Sequence, residues 1–226
     1  MNRKQLLVFD WDDTFTLGAT EAYMACYRAV TIELGLNISD EEIERRIKEK
    51  WGSTQEVELE NLIKGFNVDL NEAVRIYESN LFGDTFVDNI TLVSGAKEAL
   101  EKLSGSYDFA IVTGLNGKLL VERILPKFNI AKSYFKKIFS VYDLSDSNKA
   151  KPHPFMLIET MKKLGYTPSE TIMVGDAPGD IKMALAAKVK AIAVLTGHLK
   201  RPQAEEIGAA KILESIKDLP KHLRPV

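Results

Sequence analysis

After Val93 the sequence alternates between short apolar runs and amphipathic stretches of about ten residues. A chain that repeats strand and helix in this way is restricted to parallel strands joined by helical crossovers, hence to a sheet covered by helices on both faces. The pattern predicts helices at Gly95–Leu103, Gly117–Leu125, Pro154–Leu164 and Gly179–Ala187. It predicts strands at Phe109–Val112, Lys137–Tyr142, Thr171–Val174 and Ala191–Leu195, with a short helix before a weak last strand at Lys211–Leu213.

One strand stands apart from this series. Leu6-Leu7-Val8-Phe9 is short, uniformly apolar and ended by Asp10, Asp12 and Asp13, which reads as a buried strand. From Thr20 to Phe82 the spacing is helical instead, as in Ala22-Tyr23-Cys26-Tyr27-Val30 and Val57-Leu59-Leu62-Ile63-Phe66. Ser39 before Asp40-Glu41-Glu42 reads as an N-cap with an acidic first turn, and Asn71-Glu72 offers a similar start for a helix to Leu81. The expected organisation is α/β: a Rossmann-like parallel sheet core of residues 1–15 and 90–226, flanked by helices, with an inserted α-helical cap at 16–89. The joints fall near Phe15–Ala19 and Gly83–Leu92.

Charge excludes some partners. Thirty basic residues against 32 acidic ones leave a formal net charge of -2, which gives no reason to expect nucleic acid or an acidic membrane surface as partner. The apolar run behind the basic start Met1–Lys4 is four residues long, too short for a secretory signal, and no stretch approaches a membrane span. With Cys26 as the single cysteine there is no internal disulfide, and the expected location is cytoplasmic. No residue pattern sets an oligomeric state.

In an open parallel sheet, ligands bind beyond the carboxyl ends of the strands. Four of these ends carry chemistry. The first runs into Asp10-Trp11-Asp12, where extended alternation would turn both carboxylates one way and Trp11 the other. Adjacent carboxylates repel unless a cation or a proton intervenes. The second ends in Thr113-Gly114, a hydroxyl and backbone amides able to receive an oxyanion. The third is followed by Lys151, just ahead of Pro152 and Pro154, either of which can start a helix. The fourth ends in Gly175-Asp176, with Asp180 inside the next helix. Taken singly, each has a bland reading: an acidic turn, a helix cap, a solvated lysine, a complement to a helix dipole. Together they need four coincidences at one edge of one sheet. His153, His198 and His222 lack metal-ligand spacing. Arg45, Arg46, Lys48 and Lys50 read as a solvated helix face.

The set resembles the haloacid dehalogenase-like superfamily, whose four signatures occur here in order. Asp10-Trp11-Asp12-Asp13-Thr14 matches D-x-D-x-T, Thr113 the strand-ending Thr or Ser, Lys151-Pro152-His153-Pro154 the lysine within K-P-x-P, and Gly175–Asp180 the pattern G-D-x-x-x-D. The resemblance implies a magnesium-dependent phosphatase of the phosphoglycolate phosphatase-like branch, acting on a small phosphorylated metabolite such as phosphoglycolate or a sugar phosphate. By the same resemblance Asp10 attacks phosphorus and Asp12 protonates the leaving oxygen. Thr113, Gly114 and Lys151 hold the phosphoryl oxygens. Asp10, the Asp12 backbone carbonyl and Asp176 hold Mg2+, with Asp180 behind them, and the cap closes over the site. Asp13 departs from the family's usual Gly, but Asp tolerates left-handed backbone. Phe15-Thr16-Leu17-Gly18 replaces the usual Leu-x-Asp-Ser, which bears on the hinge and not on the phosphoryl chemistry. The alternatives are a phosphosugar mutase of the same superfamily and a non-catalytic phospho-acceptor or binding module.

Overall fold

The structure is a computed structural model that describes residues 4–51 and 53–223. Met1–Arg3, part of the basic start, lie outside the described residues. The chain divides into two compact units, one up to Leu17 and from Leu92 onward, the other Gly18–Thr91.

The first unit is built on a six-stranded sheet in the order β5-β4-β1-β6-β7-β8, every pair parallel. Its strands are β1 (Gln5–Phe9), β4 (Tyr107–Thr113), β5 (Phe135–Ser140), β6 (Thr171–Gly175), β7 (Lys190–Val194) and β8 (Lys211–Leu213). The two-residue strands β2 (Thr16–Leu17) and β3 (Thr91–Leu92) mark where the chain leaves and rejoins this unit. The Rossmann-like α/β core expected from the alternation is present.

The central strand explains its own sequence. Leu6, Leu7, Val8 and Phe9 are fully buried, so β1 has no solvated face and shows no polar alternation. Leu6 and Val8 share one core cluster with Met173, Ile181 and Met183. Phe9 packs edge-on against Phe15 and Phe109, with ring centroids 5.1 and 5.6 Å away.

Strand bounds shift by one or two residues from the expected ones, and one strand stops short for a local reason. The spacing placed a strand at Lys137–Tyr142, whereas β5 ends at Ser140. The Ser140 hydroxyl accepts from the Tyr142 N–H, and the Asp143 carboxylate accepts from the Ser140 N–H at 2.9 Å, closing a tight turn over Val141–Asp143. Apolar Val141 and Tyr142 read as strand, but a local reciprocal cap outcompetes the ladder.

In the second unit, helices run over Ala19–Glu33, Asp40–Lys48, Gln55–Ile63, Leu70–Phe82 and Asp84–Val87. Ser39 caps Asp40–Lys48 as its sequence indicates. Leu70–Phe82 starts one residue ahead of Asn71, because Asp69 is the cap and its carboxylate accepts from the Asn71 N–H at 2.9 Å. Three residues of the basic run, Arg45, Arg46 and Lys48, are engaged within this unit. Arg46 donates to the carbonyls of Leu62 and Lys64, while Arg45 and Lys48 pair along their own helix with Glu42, Glu49 and Glu44. Buried Tyr27 packs on Tyr77 and donates to Glu58, and Cys26 is buried with its thiol pushed up to about 12 by desolvation. No helix among the described residues is long and apolar enough to cross a membrane.

Leu6→Ala deletes a side chain from the fully buried strand and is expected to lower the unfolding free energy by about 2–5 kcal/mol. Urea denaturation checks it, the midpoint falling while the slope stays at the wild-type value.

Candidate active site

The sheet order places a crevice before any side chain is considered. From β1 the chain steps to β4 and β5 on one side, then returns to β6, β7 and β8 on the other, so the winding reverses beside β1. Ligands bind at such a switch point. Asp10 lies one residue beyond β1 and its N–H donates to the carbonyl of Val174 on β6 at 2.9 Å, fixing it at the mouth of that crevice.

Beyond Asp10 the backbone turns. The N–H groups of Thr14 and Phe15 both donate to the Trp11 carbonyl, at 3.3 and 2.9 Å, and Asp13 adopts the left-handed conformation with φ 53. An aspartate thus occupies this left-handed turn position without glycine. The extended alternation expected through Asp12 stops at Trp11, so Asp12 belongs to a turn and is half-buried. Trp11 is turned into the core. It is fully buried and stacked on Phe15 at 4.9 Å.

Two further carboxylates reach this mouth. Asp176 follows β6, and Asp180 lies in the first turn of the helix Pro178–Ala186; both are 1% exposed. With Asp10 they form a cluster whose ligand oxygens lie within 4.8 Å of one another, and Asp12 is not in that cluster. Lys151 enters the same space, its Nζ 2.5 Å from Asp10 Oδ1 and 2.7 Å from Asp180 Oδ1. The second oxygen of Asp180 accepts from the Ala177 N–H at 3.1 Å. Gly175 makes room for it, since a Cβ there would lie 2.4 Å from the Asp180 carboxyl carbon.

Three carboxylates against one ammonium leave two uncompensated negative charges in a water-poor site. The consequence is visible in the ionisation of the cluster. Desolvation pushes the Asp10 carboxyl up to about 6 despite the opposing pull of Lys151, and Asp180 raises it further. Desolvation, with the charges of Asp10 and Asp180, pushes Asp176 up to about 9. Lys151 is held protonated, burial opposing its charge while Asp10 and Asp180 outweigh that cost. Hard oxygen donors whose charge, once all three are ionised, exceeds that of Lys151 by two suit a divalent cation, so this cluster could hold a metal ion.

The remaining expected residues are placed as follows. Thr113 ends β4, parallel to β1 with Phe9 opposite Ile111, so it emerges at the same edge of the sheet as Asp10. It is 1% exposed and its hydroxyl oxygen accepts from the Leu115 N–H at 3.0 Å. It is not the cap of the next helix. That role belongs to Asn116, whose side chain accepts from Lys118 and Leu119. Gly114 borders open space, with nothing within 4 Å of a Cβ built there.

Three contributors escaped the sequence reading. The Thr14 hydroxyl donates to Asp176 Oδ1 at 3.0 Å, the His198 backbone N–H donates to Asp176 Oδ2 at 3.1 Å, and Gly197 lies against the same carboxylate. Asp176 and His198 are 22 residues apart and meet only because β6 and β7 are neighbours. The available signal was Thr196-Gly197 after β7, which repeats the Thr113-Gly114 arrangement after β4.

Residues 7–194 match the family model described as haloacid dehalogenase-like hydrolase. A phosphoglycolate phosphatase of Pseudomonas fluorescens is 31% identical over 71% of this chain and 58% of its own length. A pyrophosphatase of Oceanobacillus iheyensis is 27% identical over 94% of both chains. The chain spans about half the length of the first curated relatives it matches, between 43% and 58% of each. Among solved structures, a haloacid dehalogenase-like family hydrolase from Streptococcus pneumoniae superposes with a TM-score of 0.75 at 18% identity, covering 98% of this chain and 99% of that one. At that identity the likeness is one of fold.

The raised carboxyls set the pH dependence of the metal-free protein. Asp10 and Asp176 bind their protons more tightly folded than unfolded, where the reference value is 3.8. The stability they contribute is therefore complete below about pH 4 and is lost as pH rises through about 6 and then about 9. Lys151 stays charged across that window. Thermal unfolding in EDTA is expected to show the melting temperature falling over this range from these groups, and added Mg2+ to restore it most at the alkaline end. A metal-free profile that climbs between pH 6 and pH 9 contradicts the assignment.

Proposed function

The chain belongs to the haloacid dehalogenase-like hydrolase family, and from that membership together with the site we propose that it is a magnesium-dependent phosphatase working through a phosphorylated Asp10. The observation that carries this reading is the position of Lys151, 2.5 Å from Asp10 and 2.7 Å from Asp180, beside Asp176 at the crevice of the sheet. A lysine there offsets part of the charge of a nucleophilic carboxylate and leaves a net negative cluster for a cation.

In this reading Asp10 and Asp176 hold Mg2+ with the backbone carbonyl of Asp12. Asp180 stands behind them, since one of its oxygens is engaged by Lys151 and the other by the Ala177 N–H. When bound, the cation supplies positive charge that lowers both raised carboxyls and draws a phosphoryl oxygen into the crevice.

The protein's own residues carry the steps. An Asp10 oxygen attacks phosphorus and forms the P–O bond of an aspartyl-phosphate, while the bond to the leaving oxygen breaks. Asp12 in its protonated form gives that oxygen its proton. In the second half, Asp12 takes a proton from water as the water oxygen attacks phosphorus, the bond to Asp10 breaks, and inorganic phosphate leaves with Asp10 restored. The Thr113 hydroxyl, the Gly114 N–H and Lys151 hold the equatorial oxygens and stabilise the charge spread over them. Burial of Asp10 keeps bulk water from competing with the substrate at that carboxylate.

The substrate class is a small phosphorylated metabolite. The relatives named as phosphoglycolate phosphatase and pyrophosphatase put phosphoglycolate and pyrophosphate first in a panel, with sugar phosphates next.

Phosphate release from this panel should require Mg2+ and disappear in Asp10→Asn, while Asp12→Ala should slow it by about 10²–10⁴-fold. Colorimetric phosphate assay of the purified variants measures both. Release by Asp10→Asn at the wild-type rate rejects the nucleophile. Conversion of one sugar phosphate into its isomer without phosphate release would identify a mutase instead.

A further inference from the structure

Gly197 is a glycine for want of space. A Cβ built on it would lie 1.8 Å from Asp176 Oδ2, 2.5 Å from the Asp176 carboxyl carbon and 2.8 Å from the Asp13 Cβ. Real Cβ atoms do not approach this closely, and these atoms belong to a short, buried side chain and a tight turn that have little room to yield. Backbone conformation is not the reason. Six glycines of the described residues have positive φ and Gly197 is not among them. Core packing is not the reason either, since Gly197 is exposed.

The same loop grips Asp176 at two other points. The His198 N–H donates to Asp176 Oδ2 at 3.1 Å, and the Leu199 N–H donates to the Asp176 backbone carbonyl at 2.8 Å. On the other side, the Thr14 hydroxyl donates to Asp176 Oδ1 at 3.0 Å. Each carboxylate oxygen therefore takes one donor from the protein and keeps a lone pair for a cation.

We infer that residues 195–199, with Gly197 as the indispensable member, are a positioning element that fixes the Asp176 carboxylate for the metal. This rests on the metal reading given above and extends it to a loop that carries none of the four signatures. The loop reaches Asp176 only if residue 197 has no side chain. With a methyl group there, either the loop lifts and the His198 bond opens, or Asp176 rotates and its bond to Thr14 opens. In both cases the oxygens no longer converge with those of Asp10. Groups that orient metal ligands from behind have effects on affinity far larger than their own contacts with the ion, which here are none.

The test is magnesium affinity, measured by isothermal titration calorimetry on the full chain and compared with the Mg2+ dependence of phosphate release. Gly197→Ala is expected to weaken Mg2+ binding by about 10-fold or more, and to shift the Mg2+ concentration for half-maximal rate in step, with the rate at saturating Mg2+ kept within about threefold. Gly105→Ala is the matched control, because nothing lies within 4 Å of a Cβ at Gly105, and it is expected to bind Mg2+ like wild type. Equal affinity in Gly197→Ala and wild type overturns the inference. If Gly197→Ala lacks the wild-type circular dichroism spectrum, the decision passes to His198→Pro, which removes the N–H that the loop gives to Asp176 Oδ2: it must weaken Mg2+ binding where His198→Ala, which keeps that N–H, does not, and the absence of that difference overturns the inference equally. A wild-type protein that gives no heat with Mg2+ removes the metal reading itself, a failure seen before any variant is made.

Discussion

Like charges must be held together at the end of β1, and much of the surrounding structure follows from that constraint. Asp10, Asp176 and Asp180 bring three carboxylates within 4.8 Å, all nearly inaccessible to water. Their repulsion is offset on one side by Lys151, which reaches Asp10 and Asp180 together. On the other side it is offset by donors that the fold aims inward: the Thr14 hydroxyl and the N–H groups of Ala177 and His198. What remains is charge that only a proton or a cation can satisfy, and burial first, with that charge behind it, raises the Asp10 and Asp176 carboxyls in the metal-free protein.

The sheet supplies the rigidity this arrangement needs. The strands that carry Asp10, Thr113 and Asp176 are adjacent, β4-β1-β6, so their ends are fixed by ladder hydrogen bonds and by a fully buried β1. Close approach is then a matter of side-chain volume. Gly175 leaves room for Asp180 and Gly197 leaves room for Asp176, two glycines selected by space and not by φ. The turn after β1 makes the opposite choice, placing a non-glycine residue, Asp13, in the left-handed region.

Several charged groups of the helical unit are engaged within it. The arginines and lysine of Asp40–Lys48 pair with glutamates one turn away or with carbonyls at the end of Gln55–Ile63, and Glu58 is engaged by Tyr27. The run read as a solvated helix face carries i,i+3 and i,i+4 pairs along that face, and Arg46 also satisfies two carbonyls at the end of the neighbouring helix. Asp69 makes the same point at smaller scale. Its carboxylate takes the Asn71 N–H, so the helix is capped by Asp69 and not by the Asn71 that the sequence offered.

The sequence by itself determined the α/β core and the residues at its strand ends, because both are written in local terms. Periodicity fixes strand against helix, and the parallel alternation directs every strand's carboxyl end to one edge. Asp10, Thr113, Lys151, Asp176 and Asp180 were legible for that reason. Neighbouring strands decided the rest. That Thr14 and His198 bond to Asp176, or that Asp180 is reached by Lys151, depends on distances between segments 22 to 162 residues apart, which no local pattern encodes. Gly197 is the clearest instance: as a letter it is one loop glycine among 14 in the chain, and its requirement arises only when β7 is laid beside β6 and brings it against a carboxylate. The ionisation of the cluster belongs to the same class, since burial and charge proximity are properties of the packed state and not of the chain.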